Sequence, residues 1–232
     1  MLEHELTFEK DLFFFLQGSE SVFWDHFLWL YSYKWIWLPF YACFLFVFIY
    51  RRNWKEIIIT FLAVALVVTL CDQISSGFFK PVFRRFRPGY HPAFQEHLDL
   101  VLGYRGGGQY GFISSHAANA FGFATFTALL FRNKLFTGTL IIFALVNGYS
   151  RIYLGVHFIS DVVVGSAIGI LIGYVVYELT NQARFYVLKI GKPELKQAVY
   201  PAKQAYFICL SYLIFIILMM LFNNRLIDYF HK

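Results

Sequence analysis

The chain has 232 residues, of which 59% are hydrophobic and 22% aromatic against only 15% charged, and its mean hydropathy is +0.55. Soluble domains run at roughly 45–50% apolar and about 25% charged. Too little polar surface exists here to face water on all sides, which excludes a soluble globule, and 29 Phe with 16 Tyr exclude a solvated disordered chain. What remains is an integral membrane protein in one compact unit. The formal net charge of +6 does not point to nucleic acid, because the basic residues sit in short connections between apolar runs. There they set orientation or meet phosphate head groups.

In chain order, residues 1–28 read as an N-terminal segment. Its acidic start and lack of a small-residue cleavage site are unlike a cleavable signal. Within it Phe8 to Leu16 is a short apolar patch flanked by Glu and Lys, predicting a helix that lies in the membrane interface. Residues 29–222 hold six apolar runs: Trp29 to Tyr50, Ile57 to Phe79, Ser114 to Phe131, Leu135 to Ser150, Phe158 to Tyr177 and Tyr206 to Phe222. Several are short against the ~20 residues of a spanning helix, but brief links after the first and third make those flanking runs helical hairpins. Residues 223–232 read as a C-terminal tail. The expected fold is all-α, a six-helix membrane bundle with an N-terminal interfacial helix. Cys43, Cys71 and Cys209 each fall inside an apolar run, without metal-ligand spacing, and read as small buried apolar residues. Asp72 interrupts the second run and is expected to face the bundle interior as a hydrogen-bond partner.

Ten Lys and Arg fall in the links after the first, third and fifth spans, from Arg51 to Lys203. The positive-inside rule puts those links in the cytoplasm and both termini outside. The unusual polar residues then share the outer face, in three blocks. Lys80 to Pro88 follows the second span, Gly111 to His116 leads into the third, and Ser150 to Asp161 leads into the fifth. Singly, each block reads as basic residues snorkelling to head groups or an interfacial histidine. Together, three cations, two histidines and a carboxylate at one membrane face are the parts needed to handle a phosphate ester. Lys80, Arg87 and Arg151 can neutralise phosphate. Ser114, Ser115 and His116 open a helix whose N-terminal N–H groups form an anion site. His157 and Asp161, four apart, share a face if helical, so the carboxylate can accept a hydrogen bond from one ring nitrogen while the other faces phosphorus.

The pattern Lys-six residues-Arg-Pro, then Ser-x-His, then Ser-Arg-five residues-His-three residues-Asp resembles the type 2 phosphatidic acid phosphatase superfamily over roughly residues 29–178, with a motif core at about 80–161. The second block departs from the family's common Pro-Ser-Gly-His, reading Ile113-Ser114-Ser115-His116. The resemblance implies a phosphohistidine on His157, oriented by Asp161, with His116 protonating the leaving oxygen. It also implies that Lys80, Arg87, Ser114, Ser115 and Arg151 hold phosphate, without metal or other cofactor. The implied partners are a lipid phosphate or diphosphate and the bilayer, and the implied setting is a bacterial inner membrane with the site facing the periplasm. Undecaprenyl diphosphate, lipid A, phosphatidylglycerophosphate and phosphatidic acid all suit such a site. Two other readings share the residues: a vanadate-dependent haloperoxidase, whose relatives are soluble, and a non-catalytic carrier of phosphorylated lipids, whose site belongs near the midplane. Outside the motif, Arg84 and Arg85 read as a solvated basic linker. Gly103 to Gly111, with Arg105, reads equally as a lid over the site or a plain turn-rich loop.

Overall fold

The structure, a computed structural model, describes residues 6–231 apart from 93 and 99. Residues 1–5 of the expected N-terminal segment and Lys232 of the expected C-terminal tail lie outside the described residues. These fold as α-helices joined by short links, with no strand among them beyond an isolated antiparallel bridge of Phe86 to Tyr110. The helices are α1 (Leu6–Leu16), α2 (Val22–Ser32), α3 (Leu38–Ile49), α4 (Trp54–Asp72), α5 (Lys80–Phe83), α6 (Ser115–Phe131), α7 (Lys134–Tyr153), α8 (Ile159–Leu188), α9 (Lys192–Leu195), α10 (Ala202–Leu221) and α11 (Asn223–Phe230). Helix starts follow local chemistry. Asn53, Ser114 and Asn133 are N-caps whose side chains accept from Lys55 N, Ala117 N and Phe136 N, relieving N–H groups that lack a partner within the helix.

Four helical stretches among the described residues are long and apolar enough to cross a membrane: Trp54–Phe83, α7, α8 and α10. Trp54–Phe83 is continuous because a π-helical stretch, Gln73–Phe79, joins α4 to α5. The expected first span, Trp29 to Tyr50, is not one helix. The chain bends by 70° between Val22–Ser32 and Lys34–Ile49. Tyr33 is extended there, and Pro39 sits at the start of α3, where its missing N–H costs nothing. Counted as one span, the bent pair brings the total among the described residues to five. The expected third span, α6, is only 17 residues long and lies at the centre of the bundle.

The seam between α6 and α8 explains how such a short helix is buried. Gly165, Gly169 and Gly173 recur every fourth residue along one face of α8. A Cβ on Gly169 would stand 2.2 Å from the Ala118 carbonyl oxygen, and one on Gly173 would stand 2.4 Å from that of Gly122. Backbone therefore meets backbone, the close approach that small residues permit between membrane helices. Lipid-facing surfaces keep large apolar side chains, such as Leu62, Val163 and Leu221, exposed. Asp72 does not face the interior as expected. Val67 and Cys71 occupy the inward face of α4, so the next position is turned about 100° away. Asp72 is exposed and accepts from Ser76 Oγ at 3.5 Å.

The starts of α4 and α7 and the ends of α6 and α8 share one end of the bundle. There Arg184 Nε donates to Glu56 Oε1 at 2.9 Å, Arg132 donates to Tyr177 OH at 2.6 Å, and Arg52 lies 4.5 Å over the Tyr200 ring. At the opposite end α1 packs across the α7–α8 connection. Phe13 is fully buried between Phe94 and Phe158, and Gly18 N donates to Tyr153 O at 2.9 Å.

Candidate active site

The three polar blocks converge at the end of the bundle that α1 covers. Lys80 Nζ donates to Ser115 Oγ at 2.9 Å, which ties the first block to the second. Ser114 N donates to the Asp161 carbonyl at 3.0 Å, which ties the second to the third. Arg87 Nη1 reaches both Val156 O and His157 Nε2 at 3.2 Å, closing the ring.

His157 is not helical. It lies in the connection before α8, and its N–H, like that of Val156, donates to Arg151 O at the end of α7. Asp161 reaches it because the carboxylate folds back over the start of α8. Oδ2 accepts from Phe158 N at 3.0 Å and stands 3.4 Å from His157 Nδ1. The spacing of four thus works through a helix cap, not through one helical face. The proton assignment follows from the partners. A guanidinium can only donate, so Nε2 carries the lone pair, and Nδ1 bears the hydrogen shared with Asp161. Burial, then the charges of Arg87, Arg151 and Lys80, hold His157 well below the usual histidine range, although a hydrogen bond with the Gly111 backbone pulls the other way. The imidazole is therefore neutral at neutral pH, with Nε2 directed at a cationic wall.

That wall is buried. Arg87 is 4% and Arg151 1% exposed. Burial and then Arg151 bring Arg87 down to about 10, which leaves it charged at neutral pH. Arg151 donates to Ser32 Oγ and, at 3.3 Å, to Tyr104 OH. Among the described residues, the buried Nε atoms of Arg87 and Arg151 have no hydrogen-bond partner. Ser114 spends its hydroxyl on capping α6, 3.4 Å from Ala117 N. The glycine-rich segment packs onto the site through its backbone. Gly107 O accepts from Arg87 Nη2 at 3.0 Å, and at Gly106 (φ +72°) a Cβ would fall 2.8 Å from Arg87 Nη1, so only glycine fits. Arg105 and Arg84 are exposed.

Arg85 overturns the sequence reading. It is no solvated linker residue: its side chain is 8% exposed and bridges Asp161 Oδ1 at 2.9 Å and Glu9 Oε1 at 2.5 Å. A basic run beside a motif was its only sequence signal, and nothing in the sequence pairs it with Glu9, which is 76 residues away. Ser32, Lys34 and Tyr104 were also missed. Ser32 and Tyr104 hold Arg151, and Lys34 and His116 line both of two adjoining cavities of about 550 and 290 Å³. The larger runs from Ser32, Lys34, His116 and Asn147 to Phe44, Phe48, Phe61 and Val68, so one end is polar and the other, which reaches the exposed Phe61 and Val68, is apolar.

A helical membrane chain that gathers these three blocks around a buried histidine has the fold and site of one known group. Residues 61–185 match the PAP2 superfamily, and the chain belongs to it. It is 40% identical over 227 residues to a lipid A 4'-phosphatase of Porphyromonas gingivalis, covering 98% of this chain and 96% of that one. It is 35% identical over 182 residues to a lipid A 4'-phosphatase of Bacteroides thetaiotaomicron, covering 78% and 81%. The crystal structure of Aquifex aeolicus LpxE superposes with a TM-score of 0.52 at 29% identity, over 72% of this chain and 93% of that one.

Proposed function

We propose that this chain is a membrane lipid phosphatase that removes a phosphate from lipid A, attacking it from the periplasmic face through a phosphohistidine. The observation that carries the chemistry is the paired contact of His157, with Nδ1 toward Asp161 and Nε2 toward Arg87. A substrate phosphate bound to Arg87 takes over that guanidinium and leaves the Nε2 lone pair facing phosphorus. Nε2 then forms the N–P bond as the P–O bond to the lipid breaks. His116 gives its proton to the leaving oxygen, then takes one from the water that attacks phosphorus and releases inorganic phosphate. Lys80, Arg87, Arg151, Ser115 and the N–H groups at the start of α6, capped by Ser114, carry the negative charge that builds up in the transition state. These fixed cations supply the charge stabilisation that a metal provides elsewhere, so activity is expected to survive EDTA and to be inhibited by vanadate.

Two features support lipid A over the other lipids. Two relatives with high coverage carry that substrate in their names. The larger cavity also joins His116 to apolar side chains of α3, α4 and α6 that include the exposed Phe61 and Val68, a path by which an acyl chain can enter from the lipid side with its phosphate at the polar end.

The test is the purified protein with lipid A, undecaprenyl diphosphate, phosphatidylglycerophosphate and phosphatidic acid, scoring released phosphate and the lipid product by mass spectrometry. Lipid A is expected to turn over fastest, losing the 4'-phosphate. A preference for any other lipid overturns the substrate, and phosphate-free transfer of intact lipid across vesicles would revive the carrier. In intact cells, a cysteine near Arg105 in a Cys-free background should react with an impermeant thiol reagent, and one near Lys192 should not. The reverse pattern places the site in the cytoplasm.

A further inference from the structure

We infer that Glu9, from the N-terminal helix, is a positioning residue of this active site, acting through Arg85 to hold Asp161 and so to set the orientation and basicity of His157. The inference rests on the reading of His157 as nucleophile and adds a part that the three sequence blocks do not contain.

The geometry is a closed joint. Arg85 Nη2 meets Glu9 Oε1 at 2.5 Å, while Arg85 Nη1 meets Asp161 Oδ1 at 2.9 Å and Ser160 Oγ at 2.6 Å. Ser160 turns back to Glu9, its N–H donating to Oε2 at 3.0 Å and its hydroxyl to Oε1 at 2.9 Å. Glu9 therefore satisfies a free N–H in the first turn of α8, the turn that also carries Asp161, and places negative charge at the positive end of that helix. The side chains of Arg85, Glu9 and Asp161 are 8%, 12% and 0% exposed. The guanidinium also lies 4.5 Å over the Phe158 ring. Phe13, on the same helix as Glu9, packs on that ring from α1. Among the described residues Arg85 is the one cation within ion-pair distance of either carboxylate, the neighbouring His157 being neutral, so the two share one positive charge.

That sharing makes the direction of each change calculable. His157 is faced by Asp161 from its own segment, Arg85 and Arg87 from the link after α5, Lys80 from α5, His116 from α6 and Arg151 from α7. Removing the Glu9 charge leaves Arg85 wholly on Asp161, so the imidazole sees a more positive environment and binds a proton less readily. Removing the Arg85 charge leaves two carboxylates uncompensated, and the imidazole binds a proton more readily. A purely structural brace moves neither in a chosen direction.

The experiment compares Glu9→Gln, Arg85→Gln, the double variant and His157→Ala, using lipid A and an aryl phosphate, with rates normalised to the fraction of folded protein. For Glu9→Gln we expect kcat to fall about tenfold with KM little changed, a factor that corresponds to one pH unit in basicity. The acid limb of kcat/KM should move to lower pH. For Arg85→Gln we expect a kcat loss on the order of 100-fold, the upper range for a partner that orients a histidine, and an acid limb moved to higher pH. Adding Glu9→Gln to Arg85→Gln should cost little more kcat, because the charged route to Asp161 is already gone and the amide of Gln can still accept from Ser160 N. If Arg85→Gln does not fold, Arg85→Lys should shift the limb in the same direction by less. The inference is overturned if the two variants move the limb the same way or not at all, or if their rates recover once folded protein is counted. Full turnover by His157→Ala would remove the nucleophile reading beneath it. An inactive His157→Ala beside unaltered Glu9 and Arg85 variants removes the positioning role alone.

Discussion

The two ends of the bundle each bury an arginine–carboxylate pair, yet their charge is arranged differently. At the far end Arg184 has Glu56, while Arg132 and Arg52 find tyrosines, so cations and partners nearly balance. At the site end, among the described residues, Lys80, Arg85, Arg87 and Arg151 have Asp161 and Glu9 as their buried carboxylates, and the Nε atoms of all three arginines lack partners, against the single Nη1 of Arg184 at the far end. A balanced end resists unfolding, because stranding either member of a buried pair is costly. An end with surplus buried cations spends stability on an anion that has yet to arrive, which is the arrangement expected of a phosphate site. The same residue types thus brace the molecule at one end and prepare it for chemistry at the other.

The sharpest break of that comparison is His157→Ala. It should abolish turnover while leaving the melting temperature near that of the parent, and trapping with labelled lipid phosphate in the parent should give an acid-labile, base-stable adduct on His157. An adduct on Ser114 or Ser115 would redraw the mechanism. His116→Ala should retain a residue of activity, down by ~10²–10⁴-fold, and should accumulate phosphoenzyme from an aryl phosphate that needs no protonation.

Paired arginine variants then test the ends against each other. Arg87→Met should lower kcat/KM by roughly 10²–10³ and leave thermal stability unchanged or raised, since a buried cation without a countercharge is removed. Arg184→Met strands Glu56, so it should cost about 3–5 kcal/mol of stability with the rate per folded molecule unchanged. If both variants lose stability and keep activity, the contrast between the ends fails. Between the ends, Gly169→Ala must push α8 from α6 and should cost about 1–3 kcal/mol, measured by detergent-solubilised melting.

The smallest expected effect is in pH. Because His157 is held below the usual histidine value near 6.5, its neutral form persists as pH falls through that value. Phosphoenzyme formation from an aryl phosphate should therefore hold its rate through pH 6.5 and decline only in more acid buffer. The linkage has a matching sign. Below about 6.5 the unfolded chain takes up a proton at His157 that the folded chain refuses, so stability falls as pH falls. A rate that halves already near pH 7 would contradict the buried, cation-faced histidine.

Much of this was legible in the residue string. Membrane class and helical content follow from composition and run length, because a lipid solvent admits few backbone solutions. The residues of the three blocks stand close in sequence to the ends of apolar runs, so alternation of the runs across the membrane already brings them to one face. What failed did so for local reasons. The extended Tyr33 breaks the helix and changes no hydropathy, so Trp29 to Tyr50 still reads as one run. Asp72 was assigned inward on its charge, whereas Cys71 decides the inward face.

The sequence by itself determined the solvent, the helices and the parts of the proposed phosphate site, since those depend on side-chain chemistry and on separations of a few residues. Only the tertiary structure decided how the parts are charged and held. It turned Asp161 back over a helix start to meet His157, drew Arg85 out of the solvent, and brought Glu9 from 151 residues away to the first turn of α8. Such contacts depend on packing between distant segments, here the glycine seam of α6 and α8 and the burial of Phe13 beside Phe158. No local pattern encodes them.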